Sequence, residues 1–472
     1  MGGLFGAILE NDCVIDVFYG TDYHSHLGTR RGGMAVKNDE RIVKSIKKIE
    51  NGYFRTKLGT ELPRFHGKSG IGVISDNDAQ PLIIGSHLGT FAISTVGKIN
   101  NLEEITKEAF YRKIHFSEAG GGAVNPTELM GMLISQKESF EEGIVHAREI
   151  IKGSCSLLLL TDNGIIAARD KLGRTPLVIG KKESGYAVAS ETTSFFNLGY
   201  EIDYYLGPGE VVRVTPESVQ QLVVPGDKMQ VCAFFWVYYG YPASSYEGIN
   251  VESVRYRCGR KLGENDDVPV DMVSGIPDSG VGHAIGYANL RRLPYARPYV
   301  KYTPTWPRSF MPQNQSDRDL VAKMKLIPVK DLIEGSRLLF CDDSIVRGTQ
   351  LKDNVKLLFK AGAKEIHMRI ACPPLIYPCP FLNFSTSRSN LDLAARKAIH
   401  EVEKIDDEAL IQKYLTEYAD QDSVKYGKMV ENMRQKLGLT SLKFQRNQDM
   451  VEAIGLPPEN VCTHCWDESS HY

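Results

Sequence analysis

The sequence predicts an α+β sandwich over residues 1–230 joined to a parallel α/β domain over 231–405, with a helical segment over 406–472 closing the chain. Three observations carry that prediction. Short apolar runs separated by turn residues fill the first half, with helical stretches set apart from them. From about Asp266 the order becomes strand, loop, helix, strand, the βαβ order of a parallel sheet. Between them in importance stands Arg337–Leu351, RLLFCDDSIVRGTQL, where an apolar strand runs into two adjacent carboxylates and a turn of small and hydroxylated residues.

In the first half, strands are expected at Gly3–Ile8, Cys13–Phe18, Gly70–Ile74, Pro81–Gly85, Phe91–Val96, Leu157–Ala168 and Gly185–Ser190. A hairpin is written into SCSLLLLTDNGIIAARD, since Asp162, Asn163 and Gly164 sit between two strand-like runs. Helices are expected at about 102–113 and 127–151. In the second half, Val270–Val273 reads as a strand ending in SGIPDSG, a further strand lies near Val300, and Arg337–Cys341 is the clearest. Glu365–Ile370 follows a helix whose apolar face carries Leu351, Val355, Leu358 and Phe359 and which stops at Gly362. From Asp406, charged amphipathic helices are expected to run to Tyr472.

A chain of 472 residues with 42% hydrophobic content can bury large cores and suits two or three domains. A net charge of −2 and a pI near 6.6 give no electrostatic footprint for nucleic acid or an anionic membrane. The opening MGGLFGAILEND has an apolar run too short for a signal peptide or a span, and it carries acids where a targeting segment carries bases. The chain is therefore read as cytoplasmic. Nine cysteines in such a chain argue for free thiols or metal ligands before disulfides. Cys462 and Cys465 form a CxxC, which alone fits a redox pair, a zinc half-site or chance. His24 and His26, two apart, invite a metal reading as well.

Asp342 and Asp343 at the end of a buried strand are costly unless something cationic or hydroxylated binds them. Through Ser344, Ile345, Val346, Arg347, Gly348 and Thr349, small residues let backbone N–H groups approach an anion at a helix N-terminus, and the hydroxyls add donors. Such a loop suits a phosphate monoester while the carboxylates take ribose hydroxyls. The competing reading is an exposed acidic turn with Ser344 as a helix N-cap.

DDSIVRGTQ resembles the signature of the type I phosphoribosyltransferases. With its surroundings the chain resembles the glutamine phosphoribosylpyrophosphate amidotransferases of purine synthesis almost end to end, through GLFGAI, IAARDKLGRTPL, VASET, IPDSG, RSFMP, KMKL, AGAKEIHMRIACPP and CTHC. The resemblance implies an N-terminal-nucleophile-hydrolase-like glutaminase domain joined to a type I phosphoribosyltransferase domain, with ammonia passing between them to displace pyrophosphate from C1 of the sugar. It implies that Asp342 and Asp343 hold the ribose hydroxyls and Mg²⁺ and that Ser344–Thr349 wrap the 5′-phosphate. Pro277, Asp278, Ser279 and Gly280 become the pyrophosphate loop, with Ser279 at the metal-contacting hydroxyl. The family's closing loop reads roughly KNRYVGRTF. Here KYTPTWPRSF keeps Lys301, Arg308 and Phe310 but loses the Arg-Tyr pair and gains Pro304 and Pro307, which stiffen it.

Cys232, Cys379, Cys462 and Cys465 fall where the iron–sulfur branch of the family places its ligands. Four thiolates suit a [4Fe–4S] cluster or structural Zn²⁺, and the resemblance favours the cluster. Cys155, Cys258, Cys341 and Cys372 are read as core thiols. The resemblance further implies purine nucleotide effectors and a homo-oligomer.

The glutaminase half departs from the family at four places. The family's nucleophile is an N-terminal cysteine, and Gly2, with no side chain, stands at that position. The HxRY-type segment that grips the glutamine carboxylate is Val73, Ile74, Ser75 and Asp76, with Ser75 in place of the arginine. The HNGN oxyanion stretch is Thr95, Val96, Gly97 and Lys98, and Val96 offers no side-chain donor. The family's amine-binding aspartate is Pro126. Processing to expose Cys13 would discard GLFGAI and put Val14 where the motif needs glycine, so Cys13 is read as a buried strand residue. His26 matches the family's HRG turn, which is preferred to a metal pair with His24. The expectation is a transferase that uses ammonia rather than glutamine. The alternative is a non-catalytic paralogue that binds phosphoribosylpyrophosphate or nucleotides and regulates a partner.

Overall fold

In the computed structural model, described over residues 2–76, 78–117, 119–120, 123–264, 266–301, 326–382 and 390–469, two antiparallel sheets pack face to face in the first half of the chain. The seven-stranded sheet has Gly2–Leu9 near its middle, between Gly185–Ala189 and Ser69–Ser75. The six-stranded sheet is centred on Gly153–Thr161, between Gly89–Ile99 and Gly164–Ala168. Alternation puts Leu4, Ile8, Ile71 and Val73 from one sheet against Leu158, Leu160 and Ile165 from the other. Their opposite faces are covered by helices, Val14–Tyr23 on the first sheet and Pro126–Ile134 with Phe140–Ile150 on the second.

The expected hairpin forms, with Thr161 opposite Gly164 and Gly164 at φ +113°. The strand expected at Cys13–Phe18 does not. Val14, Val17, Phe18 and Thr21 are buried at helical spacing, and the Asp12 carboxylate accepts from the Val14 N–H at 2.9 Å, so this run is the helix Val14–Tyr23 with Cys13 buried at its start. The stretch 127–151 is two helices, because Ser139 caps a second start by accepting from the Glu142 N–H at 3.3 Å.

In the second half the parallel sheet has the order Met272–Gly275, Arg337–Asp342, Glu365–Ile370, Ser441–Phe444. Its last strand comes from the segment expected to be helical. A second short strand of that segment, Val461–Cys462, pairs in parallel with Val231–Cys232. Neither strand is long enough to leave a period in the sequence; each forms because a partner backbone is already extended beside it. The helix Thr349–Lys360 buries Val355 and Leu358, while Phe359 is 38% exposed. At about 100° per residue, Leu351, Val355 and Leu358 share a narrow face and Phe359 falls at its edge. Gly362 ends the helix at φ +99°. Among the described residues, no helix is long and apolar enough to cross a membrane.

Candidate active site

The site in the second half is built where Arg337–Asp342 ends. Burial, and then Asp343 beside it, push the Asp342 carboxyl well above the usual carboxylate range. Asp343 is raised too, first by burial, against the lowering effects of Ser279, Ser344 and Arg255. The Ser279 hydroxyl donates to Asp342 at 3.1 Å, the Asp343 N–H donates to the same oxygen at 3.0 Å, and the Ser344 hydroxyl donates to Asp343. Two carboxyl groups are thus held side by side, Asp343 buried and Asp342 half-buried, by three neutral donors. That arrangement favours a cation or hydroxyls arriving at the pair.

The loop Pro277–Gly280 reaches the pair because two glycines allow it. A Cβ on Gly280 would collide with the Cys341 carbonyl oxygen, and one on Gly275 would lie 2.5 Å from the Gly280 backbone. The Ile276 N–H donates to that same Cys341 carbonyl at 2.9 Å. Lys301 Nζ meets Asp278 at 2.5 Å, which ties the start of the expected closing loop to this turn. Arg308 and the rest of that loop lie outside the described residues. On the other side of the pair, Gly348 at φ +72° turns the chain into the helix that begins at Thr349. Ile345 is buried beneath the loop, Val346 is exposed, and Arg347 lies 3.7 Å from Asp392. Cys341 is fully buried strand packing, its thiol raised by burial.

The four departures in the first half also meet. Gly2, Ser75, Val96 and Pro126 all line one cavity of about 250 Å³. A Cβ on Gly2 would collide with the Ile74 carbonyl oxygen. Much of the polar lining is satisfied internally: Gln80 donates to the Thr95 carbonyl at 3.0 Å and accepts from the Thr95 N–H at 2.7 Å, and Thr127 donates to Gln80 at 3.2 Å. Cys155 borders the cavity, but burial pushes its thiol up to about 12, so it is no thiolate at neutral pH. His24 and His26 point to separate partners, the Gly20 carbonyl at 2.7 Å and Glu191 at 2.9 Å.

The predicted cysteine quartet comes together at the junction of the halves. Cys232 and Cys462 sit opposite each other in the short parallel pair. The hydrogen bond from Cys465 is the main cause that lowers Cys379 to about 7, and the same bond raises Cys465, whose thiol also feels Cys232 and Cys462. Arg174, buried and 3.4 Å from the Phe381 ring centre, donates to Cys462 Sγ at 3.0 Å. Buried thiols beside a guanidinium are a donor set that fits a thiolate-ligated centre. As placed, however, no group of three or more His, Cys, Asp or Glu among the described residues is set to hold a metal ion. Arg174 and Phe381 were missed from the sequence; the signal was an arginine in DKLGRTPL whose only reason for burial is what it faces.

A buried acidic pair above a glycine-turned loop on a parallel sheet, joined to a sandwich of two antiparallel sheets, defines a two-domain phosphoribosyl-transferring protein of the amidotransferase class. The comparisons with known proteins agree. A glutamine amidotransferase domain profile matches residues 67–197. The chain is 30% identical over 475 residues to an amidophosphoribosyltransferase of Methanocaldococcus jannaschii, covering 95% of this chain and 92% of that one. It is 33% identical to that of Archaeoglobus fulgidus over 334 residues, covering 70% and 71%. Among solved structures it superposes on glutamine phosphoribosylpyrophosphate amidotransferase from B. subtilis complexed with ADP and GMP, with TM-score 0.84, 26% identity, and coverage of 99% and 96%. The chain belongs to the amidophosphoribosyltransferase family.

Proposed function

We propose that this chain forms 5-phosphoribosylamine and pyrophosphate from phosphoribosylpyrophosphate and ammonia, and that its first domain no longer hydrolyses glutamine. The observation that carries the reading is the contrast between the two sites. The acidic pair stands with Pro277–Gly280 and Ser344–Thr349 around it, whereas Gly2, Ser75, Val96 and Pro126 leave the first-half cavity without nucleophile, clamp, oxyanion donor or amine ligand.

In the transfer, the ammonia nitrogen bonds to C1 as the C1–O bond to pyrophosphate breaks, the bonding electrons leave with pyrophosphate, and the nitrogen sheds a proton. Asp342 and Asp343 hold the ribose hydroxyls, Ser344–Thr349 supply backbone donors to the 5′-phosphate, and Pro277–Gly280 face the leaving group. Mg²⁺, with Ser279, Asp342 and Asp343 as its residues, would supply positive charge to the departing pyrophosphate. Lys301 and Arg308 belong to the loop that excludes water from the oxocarbenium-like centre. Purine nucleotides, like the ADP and GMP bound by the B. subtilis relative, are the expected effectors.

The division at residues 230 and 405 is part of this reading, as is a [4Fe–4S] cluster on Cys232, Cys379, Cys462 and Cys465 that ties the end of the chain to the domain junction. Iron and acid-labile sulfide measured on anaerobically purified protein test the cluster, and zinc in their place would refute it. Pyrophosphate release with ammonium and with glutamine tests the reaction. Release with ammonium and none with glutamine is expected; release with glutamine overturns the loss of glutaminase chemistry, and binding without release in either arm leaves a regulatory paralogue.

A further inference from the structure

The cation at the cysteine quartet comes from the other domain. Arg174 stands in the turn after Gly164–Ala168, and the buried Asp170 carboxylate holds that turn by accepting from the backbone N–H groups of Arg174 at 3.1 Å and Thr175 at 2.9 Å. Main-chain groups thus fix where the side chain starts. The Arg174 carbonyl accepts from the Cys232 N–H at 3.3 Å, and its guanidinium lies 3.4 Å from the ring centre of Phe381, in the stretch that carries Cys379, and donates to Cys462 Sγ at 3.0 Å. One residue of the first half therefore touches all three stretches that carry the four cysteines.

Arg174 is 2% exposed. A guanidinium keeps its charge in a protein, and out of water that charge is costly unless an anion meets it. A neutral thiol meets it poorly. Four metal-bound thiolates meet it well, because a [4Fe–4S]²⁺ or Zn²⁺ core leaves them an excess of negative charge. We propose that Arg174 is an outer partner of the thiolate centre, a cation lent by the first domain that hydrogen-bonds the Cys462 ligand and offsets that charge. The proposal rests on the reading that Cys232, Cys379, Cys462 and Cys465 ligate one group. It gives the first domain a purpose that does not depend on glutamine: without Arg174 the centre loses metal more readily, and its reduced, more negative form is disfavoured.

The test uses the full chain purified anaerobically, unaltered and as Arg174→Leu and Arg174→Lys. Metal and acid-labile sulfide in the unaltered chain decide whether the centre exists. In loaded protein, Arg174→Leu is expected to lose metal to EDTA at least tenfold faster than the unaltered chain, with Arg174→Lys between them. Voltammetry of the iron-loaded chain should place the one-electron potential of Arg174→Leu lower by at least a tenfold change in equilibrium constant, about 59 mV, and that of Arg174→Lys close to the unaltered value. If the metal is zinc, the sulfur-to-metal charge-transfer band of the Co²⁺-loaded chain takes the place of the potential and should move to longer wavelength in Arg174→Leu. If Arg174→Leu fails to fold, Arg174→Gln, which keeps a donor but no charge, is measured in its place. Faster metal loss with the potential or band unmoved marks a packing role and overturns the proposal while the centre stands, as does no change in either. An unaltered chain that holds neither iron nor zinc overturns both.

Discussion

The two candidate sites of this protein treat charge in opposite ways. At the end of Arg337–Asp342 two carboxyl groups are crowded together, both raised first by burial, with Asp343 making the ionisation of Asp342 harder still. In the first half, Gly2, Ser75, Val96 and Pro126 bring no ionisable side chain to their cavity, and much of the remaining polar lining is bonded to itself. Crowded, buried carboxyl groups fit a position where an arriving ligand relieves them, which is the sense in which the two sites differ. Asp266 shows what a structural carboxylate looks like by comparison. It is as buried as Asp343 but is matched by Arg369, with Tyr287 at 2.8 Å and Lys443 at 3.1 Å, and its pKa falls to about 2, burial being outweighed by Arg369.

The largest effect should come from the crowded pair. Asp342→Asn and Asp343→Asn are each expected to cut ammonium-dependent pyrophosphate release by on the order of 10²-fold or more while leaving the melting temperature unchanged or raised. Either variant at full rate breaks the contrast between the sites. Asp266→Ala should do the reverse, costing about 3–5 kcal/mol of stability because Arg369 is left buried without its partner. Its pH dependence has a definite sign. The folded value lies below the unfolded one of about 3.9, so the contribution is present in full above about pH 4 and is lost as pH falls toward about 2. Denaturant unfolding across that window should slope less steeply in Asp266→Asn than in the unaltered chain.

A smaller change is expected at Lys301, whose pair with Asp278 is half exposed. Lys301→Met should raise the KM for phosphoribosylpyrophosphate several-fold with kcat little changed, since an exposed pair contributes at most about 1 kcal/mol. The smallest expected effect is none. Gly2→Cys returns a thiol to the old nucleophile position, but its Cβ meets the Ile74 carbonyl and the clamp and oxyanion donor are still missing. Glutamate release should stay at the background rate, and a glutaminase restored by this one change would show that the site was dormant and not dismantled.

The amino-acid order alone determined the class of both halves and pointed to the acidic pair. Alternation and the βαβ order are local periods, and Asp342, Asp343 and the loop to Thr349 are contiguous, so their chemistry is legible without a fold. It also marked four positions that differ from the family's motifs. Only the tertiary structure decided that Gly2, Ser75, Val96 and Pro126 border a single cavity and that Arg174 stands against Cys462. It turned Cys13–Phe18 into a helix and drew Ser441–Phe444 into the parallel sheet. The reason is physical. A short strand's pairing, a buried charge's partner and a cavity's lining depend on groups far apart in the chain, and no local period or contiguous motif encodes which distant backbone will lie beside them.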